Sequence, residues 1–232
     1  MQNKSKMTRR KFMAAAGGSL VSIGLPGVFV KLLDAENEAF AAELRPDGRL
    51  RIPPGQHAVK QLSDMGGVKG VGMVPAWRLE ISGAIKKPRT LTFGDVMKLP
   101  QVPLTCDVHC VTTWTLLDSR WQGVSLQTIM DLVKVGKDAK FVVFEAPGDY
   151  SSSIPIAEAK KDNVLLAHGF SGKPLAQAHG APLRALVPDR YFYKSVKWVQ
   201  RIKFTKEDEP GYYETRGYSN SADPWKEERY SD

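Results

Sequence analysis

The chain has only two cysteines in 232 residues, Cys106 and Cys110, four positions apart in TCDVHC and just ahead of VTTWTLLDSRW. Thiols placed like this admit several chemistries: a disulfide, a redox pair, a zinc clip or a lone metal ligand. On an extended segment their Cα atoms would stand about 13 Å apart, beyond bridging range, and TCDVHCV holds no Gly or Pro to fold it back. A thioredoxin-like pair needs CxxC at a helix start, and covalent haem attachment needs CxxCH; the spacing here is CxxxC. Zinc wants about four ligands, and His57, His109, His168 and His179 are scattered along the chain. A zinc clip from Cys106, His109 and Cys110 stays open on residue types but has no supporting spacing. Cys110 alone can serve a soft or high-valent metal whose other ligands come from a cofactor. The plainer alternative is a buried structural thiol.

The frame for this chemistry is a chain with 42% hydrophobic residues and a formal charge of +8, enough to build one core. Such a charge favours anionic partners and makes a polyanion binder worth weighing. It is partly carried by the first 41 residues. There MTRRKF precedes the apolar run MAAAGGSLVSIGLPGVFV, and Ala39-Phe40-Ala41 offers a small-x-small cleavage site. We read 1–41 as a twin-arginine signal peptide, 42–232 as the mature single domain, and the periplasm as its destination. The run is short for a membrane span, and Pro26 weakens it further.

Within 42–232 the pattern is mixed. Pro53-Pro54-Gly55 and MGGVKGVGMVP (65–75) read as an irregular arm. Trp77, Leu79 and Ile81 alternate with polar residues up to Gly83, as in a half-buried strand. Thr92 can cap a short helix through Lys98, and Ser125 a second one with Leu126, Ile129, Met130 and Val133 on one face. FVVFEA (141–146), VLLAH (164–168) and LRALVP (183–188) read as buried strands. Strands and helices do not alternate strictly, so the fold class predicted is α+β, mixed and β-rich.

The last strand expected is SVKWVQRIKF, 195–204. Its alternation puts Val196, Trp198, Ile202 and Phe204 on a core face, and Ser195, Lys197, Val199, Arg201 and Lys203 on a cationic one. Lys194 would point away from that cationic side. Trp114 and Trp121 read as core, and Arg120 as a surface residue.

DVHCVTTWTLLDSRWQGV resembles the cofactor-ligating segment of the oxidoreductase molybdopterin-binding domain, the sulfite oxidase fold. WRLEISGAIKKPRTLTFGDVMKLP before it, then VLLAHGFSGKPLAQAHGAPLRALVP and YFYKSVKWVQRIKF after it, follow the family's order. The tail GYYETRGYSNSADPWKEERY is similar to the ends of small bacterial members. The resemblance implies a single cofactor, a mononuclear molybdenum on one molybdopterin, with Cys110 as the protein's thiolate ligand and Cys106 structural. It implies that His179 and Arg184, in HGAPLR, and Ser195, Val196 and Lys197, in KSVK, hold the pterin and its phosphate. A phosphate monoester carries nearly two negative charges, which a guanidinium fork and an ammonium suit.

The function expected from that resemblance is two-electron oxygen-atom transfer by a molybdenum oxidoreductase. Family sulfite oxidases follow the ligand cysteine with an arginine-bearing segment, whereas this chain has VTTWTLLD, so a small oxidised-sulfur substrate such as an S-oxide, or an N-oxide, competes with sulfite. With no haem motif and no cysteines for an iron–sulfur cluster, electrons must pass through a redox partner such as a cytochrome or a membrane haem subunit. A monomer without nucleic acid is expected. The competing readings are an exported basic anion-binding module and a zinc protein, neither with redox activity.

Overall fold

The computed structural model describes residues 43–64 and 77–231. The expected signal peptide and the glycine-rich stretch 65–75 lie outside the described residues. Among the described residues no helix is long and apolar enough to cross a membrane.

Two sheets carry the fold, and each strand sits where its residue pattern can be buried. The first is organised around β5 (Trp114–Ser125), whose twelve residues are long enough to serve three neighbours. β4 (Val102–His109) pairs antiparallel along most of it, with a bulge between Cys106 and Val108. On the other side, β1 (His57–Val59) pairs parallel with its start and β8 (Leu165–Phe170) antiparallel with its end. The sheet continues through β10 (Arg184–Leu186), and the two-residue β9 (Lys173–Pro174) borders β8. Pro53-Pro54-Gly55 is irregular as expected, and just after it His57–Val59 forms a sheet strand that the sequence reading did not anticipate, too short for its pattern to show.

The second sheet has the order β3-β2-β11-β6-β7, with β2 Arg78–Gly83, β3 Arg89–Thr92, β6 Phe141–Glu145, β7 Ser151–Pro155 and β11 Arg201–Thr205. β2 and β11 run parallel, and β6 runs antiparallel to β11. Leu79 and Ile81 are buried, as the alternation of β2 requires. The three α-helices among the described residues are short. In α1 (Phe93–Lys98), Thr92 and Asp95 form a reciprocal capping box, satisfying two otherwise orphaned N–H groups. In α2 (Leu126–Val133), Ser125 caps the first turn and Leu126, Ile129, Met130 and Val133 are all buried. α3 (Ile156–Ala159) is a single turn. Sheets with few helices make this an α+β fold.

The main core spans both sheets, with Leu79, Ile81, Phe144, Ile202 and Phe204 meeting the apolar stripe of α2. A second cluster of Val108, Cys110, Trp114, Trp121 and Leu165 lies under the β4–β5 turn. Trp114 and Trp121 are thus core, as expected, and Arg120 is exposed.

The expected strand 195–204 is only half present, since β11 begins at Arg201. Trp198 adopts a left-handed φ of 58°, which an extended strand forbids and a bulky side chain rarely accepts. The predicted two-faced alternation fails with it: Ser195, Val196, Lys197, Trp198 and Val199 are all buried. What read as a solvated cationic face becomes a folded-back loop with its cation indoors.

Candidate functional site

Cys110 sits at the tip of the first sheet, where β4 turns into β5. Its N–H donates to Trp114 O at 2.8 Å, and Thr113 N–H donates back to Cys110 O at 3.1 Å. Thr113 takes a φ of 78°, closing a three-residue hairpin loop in the usual way, by a left-handed last residue. A β-branched residue is strained there, and such strain tends to collect at functional positions. Gln56, just before β1, donates to Cys110 O at 3.1 Å and anchors the loop from the other side. Burial pushes the Cys110 thiol up, and Thr112 opposes this with its hydroxyl 3.1 Å from Sγ.

Cys110 lines a cleft of about 190 Å³ together with His179, Arg184, Ser195 and Lys197. Four of the expected cofactor-binding residues are thus gathered from three chain segments to the sulfur. The fifth, Val196, is not on the cleft. Its side chain is fully buried in the main core, and its carbonyl accepts from Ala185 N–H at 2.8 Å.

The cations are held from behind by carbonyls. Arg184, at the start of β10, is 2% exposed and donates to His179 O at 3.0 Å, Ser195 O at 2.8 Å and Ala185 O at 3.2 Å. Its guanidinium lies 4.2 Å from the Phe192 ring centre. Lys197 is 7% exposed and donates to Ala178 O at 3.0 Å. Neither makes an ion pair among the described residues. Burial pulls Arg184 down to about 10, and burial together with Arg184 pulls Lys197 down to about 8. His179 is also lowered by burial, while Asp64 at 3.4 Å opposes. Ser195 accepts from Val187 N–H at 2.9 Å through its hydroxyl oxygen, which fixes its position.

Gly180 lets these segments close up. It follows the tight turn Gln177–His179 with φ 109°, and an added Cβ would come within 2.9 Å of Lys197 Cβ and 3.1 Å of Arg184 Cβ. No other residue adopts that backbone comfortably.

Sequence reasoning missed the aromatic wall. Tyr150, Tyr193, Tyr213 and Tyr218 line the cleft with Phe192. Tyr213 and Tyr218 come from the tail GYYETRGY, whose density of tyrosines was the available signal. Lys194, a weaker candidate expected to point away from the cationic side, enters a buried ion pair with Glu214 at 2.6 Å. That pair ties the segment before Ser195 to the tail that carries Tyr213.

The two cysteines are unpaired. Cys106 lies away from the cleft, and burial pushes its thiol up to about 12. Among the described residues no three His, Cys, Asp or Glu side chains are grouped to hold a metal ion. His109 is fully buried, kept neutral by burial at about 3, and bound through Nδ1 to Thr115 Oγ1 at 2.9 Å. The donor set that a zinc clip requires is not assembled.

The geometry is a thiol and two buried cations around one cleft. The model of the oxidoreductase molybdopterin-binding domain matches residues 66–213. The chain belongs to that family. It is an oxidoreductase of the sulfite oxidase fold. The uncharacterized oxidoreductase YuiH of Bacillus subtilis is 34% identical over 194 residues, covering 83% of this chain and 98% of the relative. The protein-methionine-sulfoxide reductase catalytic subunit MsrP of Campylobacter jejuni is 29% identical, covering 89% of this chain and 76% of the relative. The sulfane dehydrogenase SoxCD of Paracoccus pantotrophus superposes with a TM-score of 0.57 at 22% identity, over 87% of this chain and 59% of that one. This last likeness concerns the fold.

Proposed function

We propose that this oxidoreductase binds one mononuclear molybdenum on a single molybdopterin in the Cys110 cleft and reduces a small S-oxide or N-oxide, or oxidises a small sulfur compound. The observation that carries the reading is the burial of Arg184 and Lys197, without a carboxylate partner among the described residues, in the cleft that also receives Cys110. Two desolvated cations are costly by themselves, and a phosphate-bearing ligand offsets that cost. The donor set fits the group: a thiol for a soft metal at one place, and cations for a phosphate at another.

When bound, the molybdenum centre supplies two-electron oxygen-atom transfer. The protein's share is positioning and electrostatics. The hairpin loop holds Cys110 Sγ toward the cleft, and a coordinated thiol gives up its proton however high burial has pushed it. Arg184, Lys197 and His179 hold the anionic end of the cofactor. Ser195 is pinned by Val187 N–H and offers its hydroxyl proton to the same ligand. The four tyrosines exclude water, and burial keeps Tyr150 and Tyr193 protonated as hydrogen-bond donors.

For substrate, the residues after Cys110 in the cleft are Val111 and Thr112, which carry no charge. A neutral S-oxide suits that wall better than a sulfite dianion, and the methionine-sulfoxide reductase activity named for the Campylobacter relative is in keeping with it. Location in the periplasm after twin-arginine export, a cytochrome or membrane haem subunit as electron partner, and a monomeric state complete the proposal.

The test is elemental analysis of protein made in a molybdopterin-competent host. One molybdenum per chain is expected, lost in Cys110→Ala and kept in Cys106→Ala; metal retained by Cys110→Ala refutes the ligand assignment. A screen of sulfoxides, N-oxides and sulfite with dye electron mediators then identifies the substrate.

A further inference from the structure

The positive charge outside the cleft is concentrated in one place. Residues 42–232 hold 27 Lys and Arg against 22 Asp and Glu, a surplus of five. Much of that surplus lies at one end of the second sheet. Lys86 and Lys87 follow β2, and Lys206 follows β11, which runs parallel to it. Lys140 precedes the antiparallel β6, and its N–H donates to Thr205 O at 2.8 Å. Lys160 ends α3, after β7 has returned to the same edge.

The end of α2 joins them. Lys86 N–H donates to Lys134 O at 3.0 Å, and Ile85 bridges Val135. Lys86, Lys134, Lys137 and Lys160 rim one concavity of about 470 Å³ with Met130 and Ile156 beneath them. All seven of these lysines are exposed, against Asp131, Asp138 and Glu207 at the same end, a local surplus of four. Only Lys206 is ion-paired among the described residues, with Asp138 at 2.6 Å.

Lys197 and the cleft lie before β11, and Lys206 lies after it, so about 13 Å of strand separates the two ends. A partner can cover the lysines without covering the cleft. We propose that this end of the sheet docks on an anionic lipid bilayer. The groups are all lysines on flexible stems, drawn from five chain segments, and apart from Lys206 none is fixed by a side-chain hydrogen bond among the described residues. Such a set matches laterally mobile lipid phosphates better than carboxylates at fixed positions, which arginine forks would read. Lysines near an anionic surface each add about fivefold to partition, and salt screens the effect.

The experiment uses the purified, cofactor-loaded enzyme and vesicles of phosphatidylcholine with or without phosphatidylglycerol, in co-sedimentation. Binding is expected only with phosphatidylglycerol, and to fall between about 0.05 and 0.5 M salt. The variant K86Q/K134Q/K137Q/K160Q should bind on the order of a few hundredfold more weakly. A control of equal charge loss elsewhere, K60Q/K98Q/K173Q/K226Q, should bind like the parent, and both variants should keep the parent's melting temperature and dye-linked activity. Every protein compared has the same N-terminus, so its contribution cancels between the variants. Equal loss in both variants, no binding to phosphatidylglycerol, or tighter capture by polyglutamate than by vesicles overturns the proposal. None of these outcomes depends on the molybdenum reading, which metal analysis tests separately.

Discussion

Glu214→Gln is the most informative single change outside the cleft. Lys194 and Glu214 have side chains 1% exposed and meet at 2.6 Å. Lys194 also donates to Ser153 O and Asn220 Oδ1, both at 3.0 Å, and Ser152 donates to Glu214. Removing the carboxylate leaves an ammonium desolvated, with neutral partners only. Breaking a buried pair from one side costs about 3 to 5 kcal/mol. For a domain of this size that corresponds to a melting temperature lower by roughly 6 to 20 °C.

The pH dependence gives the sharper check. Burial lowers Lys194 below the usual lysine value of 10.5, and Glu214 opposes that shift. The unfolded chain therefore binds more protons than the folded one between the lowered value and 10.5, so this group's contribution to stability rises with pH through that window. Without Glu214 the lysine falls further. The deficit of the variant relative to the parent should be largest near pH 7 and narrow toward pH 10, where the parent's lysine also loses charge. Urea unfolding followed by circular dichroism at both pH values measures it. Replacing both partners, Lys194→Met with Glu214→Leu, should cost less than the single change, because no charge is stranded. A single-variant loss below about 1 kcal/mol, or a deficit that does not change with pH, refutes the assignment of a buried, coupled pair.

Gly180→Ala should push Lys197 and Arg184 apart and lower molybdenum content with only modest loss of secondary structure; full occupancy would show that the close approach at 2.9 Å is not required. Lys197→Met should stabilise the apoprotein at pH 7 by about 1 to 3 kcal/mol, since the ammonium is held down at about 8 by burial, while abolishing cofactor retention. The parent apoprotein should correspondingly gain stability as pH rises past 8, a sign opposite to that of a salt-bridged lysine. Asp189 is raised by burial but held down at about 2 by Arg45 and Lys161, so its stabilisation is present above about pH 4 and lost as pH falls through 2. Asp189→Asn should remove about 2 kcal/mol at pH 7 and almost nothing at pH 2, measured by thermal melts.

Elements whose signals are local were legible in the sequence. Thr92 and Ser125 cap because a hydroxyl oxygen reaches the N–H of the first turn, which needs only three residues of context. β2 was legible because its two faces meet different surroundings. The short β1 was not, because three residues show no period and its partner lies more than fifty positions away. The site divides in the same way. Cys110, His179, Arg184, Ser195 and Lys197 were named through motif order, and they converge. Val196 was named with them by motif order, while alternation had put it on the core face, and its side chain lies in the core.

The failure at 195–200 shows why the chain's charge was misread from pattern alone. Alternation treats every lysine as a surface group, and the left-handed turn at Trp198 reverses that for Lys197. The overall charge of +8 therefore combines populations under different physical constraints. Arg184 and Lys197 are desolvated, pointed at one cleft and held by backbone carbonyls, so a specific dianion lowers their free energy most. The lysines at the far end of β11 are hydrated and, Lys206 apart, unpaired among the described residues, and gain from any dense field of negative charge in proportion to their number. Substituting one buried cation should change cofactor occupancy and leave surface association alone, whereas four exposed substitutions should do the reverse. A variant that moved both together would show that the two populations are coupled, contrary to their placement at opposite ends of the strand.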